Sequence, residues 1–227
     1  MSDKTKYSYT IRRRSDPLPT TPNWENNGWA QAEMIEVASF RPESSKHRPQ
    51  TLARLLYDEK GIHGQFHVHD RYVYCVRTNY MDDVWKDSCV EFFIQPKAEK
   101  GYFNFEFNCG GAFLLCYITD PTRVPDGFKR FVRVPEAIAK ITMVTSSLPR
   151  IVKPEIKEPV DWTLQFFIPF RVLENYVGAL GNVRGQVWRG NFFKCAEENS
   201  RPHWASWSPV DELNFHLPRC FGEIRFG

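Results

Sequence analysis

Residues 89–95, CVEFFIQ, and residues 102–108, YFNFEFN, alternate in character and stand close together in the chain. Successive side chains of an extended strand leave on opposite faces. Val90, Phe92 and Ile94 therefore point one way, and Cys89, Glu91, Phe93 and Gln95 the other. In the second segment Phe103, Phe105 and Phe107 form an apolar face, while Tyr102, Asn104, Glu106 and Asn108 form a polar one. The link at residues 96–101 is short, polar and closed by glycine, so the two segments are expected to pair as an antiparallel hairpin.

The remaining chain reads as more of the same. Residues 51–57, 62–69 and 72–78 suggest a β-meander, with a turn at 58–61 whose glycine suits a positive φ. Further strands are expected at 7–13, 112–118, 128–134, 141–146, 186–196 and 221–226. Residues 119–127 and 147–159 read as loops. Trp162, Leu164, Phe166 and Ile168 alternate toward a core, and Pro169 then opens the one convincing helical stretch, residues 170–176. With 16 prolines and no repeat or linker, roughly a dozen strands and a short helix point to one all-β domain over residues 1–227. The expected form is a two-sheet β-sandwich, with a closed barrel as the alternative.

The polar face of the hairpin is chemically unusual. It gathers Glu91, Asn104, Glu106 and Asn108 beside Trp85. Carboxylates accept directed hydrogen bonds, carboxamides donate and accept, and an indole is a flat apolar plate. That mixture matches a sugar ring, with hydroxyls at its edge and C–H groups on its face. The alternative is a solvated outer sheet face. A second aromatic group follows Asn191, where Trp204 and Trp207 lie in the segment after residues 186–196. Either of them could provide a second plate or simply fill the end of the sandwich.

Other functions are poorly supported. No nucleophile elbow, phosphate-cradling loop, zinc-protease helix or dinucleotide fingerprint occurs. Glu91 and Glu106 could serve as the carboxylate pair of a glycoside hydrolase. A haem-binding electron-transfer sandwich could draw axial ligands from Met81 and the histidines. His67 and His69 would share a strand face with each other, but no third metal ligand is evident, and the metal set is left unassigned. A net charge of +3, with one tight basic cluster at Arg12, Arg13 and Arg14, argues against a nucleic-acid partner. No apolar run reaches the length of a membrane span. Residues 1–14 hold no apolar leader, which as written places the chain in the cytoplasm, or outside it if an export signal has been removed. The six cysteines form no C-x-x-C pair and fall in apolar patterns, as free buried thiols do.

Several motifs in order resemble the family 9 carbohydrate-binding modules and their stand-alone bacterial relatives. They are Trp85-x-Asp87-x-x-x-Glu91-Phe92-Phe93-Ile94, Asn104-Phe105-Glu106-x-Asn108, Gly190-Asn191-Phe192-Phe193-Lys194, and the ending from His203-Trp204 through Trp207-Ser208-Pro209, Asn214-Phe215-His216 and Phe221-Gly222. The resemblance implies a jelly-roll β-sandwich that grips an oligosaccharide or polysaccharide without catalysis. It implies Trp85 as one plate and Glu91 as a hydroxyl-binding carboxylate. Trp207 is the choice for the second plate, with Trp204 as competitor, and Asn104, Glu106 and Asn191 would line the floor. No cofactor is expected beyond a structural calcium that the resemblance allows.

Overall fold

The computed structural model describes residues 7–227; residues 1–6, which begin the segment read for a leader, lie outside the described residues. The early strands are β1 (Ser8–Arg13), β2 (Ile35–Glu36), β3 (Ser39–Phe40), β4 (Gln50–Tyr57), β5 (Gly61–Asp70) and β6 (Val73–Cys75). The central ones are β7 (Cys89–Gln95), β8 (Tyr102–Asn108), β9 (Phe113–Val124) and β10 (Gly127–Arg133). After the short helix α1 (Glu136–Ala139) come β11 (Met143–Ser146), β12 (Val152–Ile156) and β13 (Val160–Pro169). Helix α2 (Phe170–Val177) precedes β14 (Val187–Ala196), β15 (His203–Ser206) and β16 (Gly222–Phe226).

Two sheets face each other. One runs β10-β9-β8-β7-β14-β16-β1, and the other runs β1-β4-β5-β13-β11. β1 joins them: Ser8 to Ile11 pair with β16, whereas Arg12 and Arg13 pair with β4. The far edges, β10 and β11, remain unpaired to each other, so this is an open sandwich and not a barrel.

The apolar alternation read from the sequence builds the layer between the sheets. Phe92 stacks on Phe166 at 6.0 Å, Phe107 on Phe166 at 5.0 Å, and Phe192 meets Phe66 at 6.1 Å. Burying one such ring stabilises the fold by about 1.5–3 kcal/mol. Gly64 lies opposite Phe166 in the β5–β13 pair, and a Cβ there would sit 2.0 Å from the ring. Only a glycine leaves room for that ring to lie on the backbone.

The hairpin forms as expected, with Glu91 directly opposite Glu106 and Phe93 opposite Asn104. Its polar face, however, is not solvated. Phe93, Tyr102 and Phe193 on that face pack under Phe215, Leu217 and Phe221 of the C-terminal segment, forming a second apolar cluster outside the sandwich. Both faces of β7 and β8 are therefore buried.

Three local expectations change. Residues 119–127 are not mainly loop: β9 continues to Val124 and turns at residues 125–126 into β10, making a long hairpin. Residues 147–159 include β12, which pairs with the short β6. Gly61 does not adopt a positive φ. It is required because β13 passes so close that a Cβ would sit 2.2 Å from the Ile168 carbonyl oxygen. Helix α2 starts after Pro169 as read, and ends at Gly178, whose φ of 75° is the left-handed region that glycine enters freely. Among the described residues no helix is long and apolar enough to cross a membrane.

Candidate functional site

A cavity of about 430 Å³ opens on the outer face of the first sheet. Glu91 from β7, Asn104 and Glu106 from β8, Cys116 from β9 and Cys195 from β14 form its floor. Trp85 and Trp204 both line it, and the β9–β10 hairpin contributes Arg123, Phe128 and Phe131 to one wall. Phe215 and His216 close another side.

The two indoles arrive by different routes. Trp85 sits in a single helical turn, Val84–Lys86, anchored by the buried Val84. The segment leading to it is locked by Asp87, which is fully buried. The Asp87 carboxylate accepts from the Arg77 backbone N–H at 3.0 Å, from its guanidinium at 2.8 Å and from Asn108 Nδ2 at 2.8 Å. Asn108 is thus spent on holding this segment. Trp204 lies on β15 opposite Cys195 of β14, and its indole N–H donates to Glu197 at 3.2 Å.

The floor carries polar groups in an unusually dry setting. Asn104 Nδ2 donates to Glu106 Oε1 at 2.7 Å, and Asn104 Oδ1 accepts from the Cys116 N–H at 2.8 Å. The second Glu106 oxygen is buried without a hydrogen-bond partner in the protein. Burial pushes the Glu106 carboxyl up to about 7, against the Asn104 hydrogen bond and Arg123, which both pull it down. Glu91 is raised well above the usual carboxylate range, first by burial and then by Cys195 and Glu106 nearby. Both carboxyls are thus shifted toward the protonated form, in which a carboxyl can donate as well as accept. His216 Nδ1 lies 2.9 Å from the Tyr102 hydroxyl, and burial together with Arg123 keeps this imidazole neutral.

The structure brings four of the residues singled out from the sequence together here: Trp85, Glu91, Asn104 and Glu106. Two lie elsewhere. Trp207 is half-buried against the inner core, edge-on to Phe192 at 5.9 Å, with its ring resting on Gly222. Trp204 and Trp207 are an odd number of residues apart, so extended backbone sends them to opposite faces. Asn191 is fully buried, and its side chain is consumed by Ser208: Nδ2 donates to the carbonyl at 2.8 Å and Oδ1 accepts the N–H at 2.9 Å. It holds the chain after β15 in place. His67 and His69 lie on β5, in the other sheet, beside Asp161 and Thr163. The sequence reading overlooked Arg123, because residues 119–127 carry proline and aspartate that read as a loop. It overlooked Phe128 and Phe131, because a strand expected at 128–134 does not announce which neighbour it pairs with or what its side chains cover.

The sequence matches carbohydrate-binding family 9 over residues 26–226. No curated protein sequence matches the chain. Among solved structures, a protein of Bacteroides uniformis ATCC 8492, provisionally described as carbohydrate-binding, superposes with a TM-score of 0.84 at 24% identity, covering 97% of this chain and 99% of that one. A family 9 module from Caldicellulosiruptor kristjanssonii in complex with glucose gives a TM-score of 0.63 at 11% identity, covering 97% and 96%. The same organism's module in complex with cellotriose gives 0.62 at 11% identity, covering 97% and 93%. These structures share the β-sandwich fold, and family 9 is a family of non-catalytic carbohydrate-binding modules. With the family match extending over most of its length, this chain belongs to carbohydrate-binding family 9.

Proposed function

We propose that the outer-face cavity holds the saccharide, with Trp85 and Trp204 as the apolar plates and Glu91, Asn104 and Glu106 as the hydroxyl-binding floor. The observation that carries this reading is that both indoles and all three floor groups line one cavity. Its volume of about 430 Å³ falls within the roughly 300–1,000 Å³ of small-ligand sites. Indole faces cover sugar C–H groups, and a carboxamide and two carboxyl groups provide donors and acceptors at the ring edge. Family 9 structures in complex with glucose and cellotriose favour a glucan-type ligand as the first to test.

Binding consists of stacking and hydrogen bonding, with no covalent step. Titration calorimetry with cello-oligosaccharides tests it. Trp85→Ala and Trp204→Ala should each weaken binding, while Trp207→Ala should leave affinity unchanged in the folded protein. If both Trp85→Ala and Trp204→Ala bind as the parent does, the site is elsewhere.

A further inference from the structure

Sugar binding leaves part of the cavity floor unexplained. Cys89 and Cys195 are direct cross-strand partners on β7 and β14, and Glu91 follows Cys89 on the same face of β7. The two Sγ atoms and a Glu91 carboxylate oxygen all lie within 4.8 Å of one another. Cys195 Sγ is 3.2 Å from Glu91 Oε1, and the two thiols are in hydrogen-bond contact. All three side chains are at most 2% exposed. Among the described residues this is the one grouping of three such donors so close together.

We propose that Cys89, Glu91 and Cys195 form a binding site for a zinc-class divalent ion, with its remaining coordination position turned toward the cavity. Glu91 and Cys195 both line that cavity, which gives the ion an entry path and leaves one side of it open. Tetrahedral zinc bound by sulfur and oxygen places its ligand atoms about 3.3–3.8 Å apart, so side-chain rotations of less than about 1 Å per atom complete the site. The donor set decides the class of metal. Two sulfurs and one carboxylate suit zinc or cadmium, whereas calcium takes six to eight oxygens. The calcium suggested by the family resemblance does not fit these residues.

Metal binding here competes with protons, because thiols and a carboxyl must ionise to coordinate an ion. Burial pushes the Cys89 thiol up to about 12 and the Cys195 thiol well above its usual range. That burial opposes ionisation, and the close grouping of the three donors has to outweigh it. Glu106, directly opposite Glu91, adds a buried oxygen with no hydrogen-bond partner. A divalent cation replaces the protons that these groups carry. Each donor that coordinates the ion loses its proton to solvent, so up to three protons are released per ion bound.

The test uses the full chain, kept reduced, and cadmium or zinc ions alone, with no glycan. Wild-type protein should bind one ion, develop the ultraviolet thiolate-to-cadmium charge-transfer band and release protons in a weakly buffered solution. Cys89→Ser and Cys195→Ser should abolish the band, and Glu91→Gln should weaken binding at least 10-fold. Cys75→Ser, which alters the other buried thiol pair with Cys109, should leave it intact. A reduced wild-type protein that shows no band at stoichiometric cadmium overturns the proposal. So does a band that survives in Cys195→Ser or disappears in Cys75→Ser. Proton release is read on the wild type, so the outcome stands even if a serine variant folds poorly.

Discussion

At the scale of single residues, stacking and packing tryptophans separate cleanly. Trp85 and Trp204 are half-buried at the mouth of the cavity. Removing one plate forfeits about 1.5–3 kcal/mol of ring burial against the sugar, or roughly 10- to 100-fold in affinity. Calorimetry on Trp85→Ala and Trp204→Ala should show that loss with little change in unfolding midpoint. Trp207→Ala should do the reverse. Its ring packs on Phe192 and Gly222, and the void left behind should lower stability by about 2–4 kcal/mol in urea denaturation, with affinity retained. Asn191→Ala belongs with Trp207. It strands the backbone N–H and carbonyl of Ser208, each costing about 1–3 kcal/mol when buried and unpaired.

At the scale of elements, the site is made by what surrounds the central strands. The β9–β10 hairpin stands out from the sheet, mostly exposed, and carries Arg123 and Phe128 to the cavity wall; the Arg123 guanidinium lies 4.3 Å from the Phe128 ring centre. Replacing residues 119–130 by a two-residue turn should weaken sugar binding more than 10-fold while changing stability by only about 1–2 kcal/mol, as expected for exposed segments. A thermal melt alongside the calorimetry separates the two effects. The segment that delivers Trp85 behaves differently, because its anchor is internal. Asp87→Ala leaves Arg77 and Asn108 facing an uncompensated gap and should cost about 3–5 kcal/mol.

At the scale of the molecule, a buried charged network sits at one end of the sandwich. Lys194 of β14 and Asp70 of β5 are both fully buried, 3.5 Å apart. His47 Nε2 lies 2.7 Å from Asp70, and His203 Nε2 lies 2.8 Å from the Lys194 ammonium. Burial, and then Lys194, hold His203 down to about 3. Burial alone would raise Asp70, but Lys194 and His47 outweigh it and leave its carboxyl below the usual range. A depressed folded value means that the unfolded chain binds more protons, so stability is lost as pH falls. For His203 the loss begins near its unfolded value of about 6.5 and continues toward about 3. Glu91 and Glu106, whose values are raised, act in the opposite sense. The contribution of His203 is isolated by comparison: between pH 6.5 and 4 the wild-type chain should lose more stability in urea than His203→Gln does. Equal slopes would remove His203 from the account.

The strand alternation, the hairpin at residues 89–108, the helix after Pro169 and the family motifs were all legible in the sequence. Each rests on local periodicity or on residue types fixed at short spacing. Period-two alternation also grouped Glu91, Asn104 and Glu106, because neighbours on a hairpin face are set by backbone geometry alone. Which tryptophan reaches them depended on the tertiary structure. Trp204 and Trp207 look alike in sequence, and only the pairing of β15 with β14 sends one to the cavity and the other to the core. The burial of the polar face was equally invisible, since its cover comes from residues 210–221, over a hundred positions away. The contact of Cys89 with Cys195 has the same origin. A sheet brings distant strands into register through hydrogen bonds between their backbones, which their side chains do not announce.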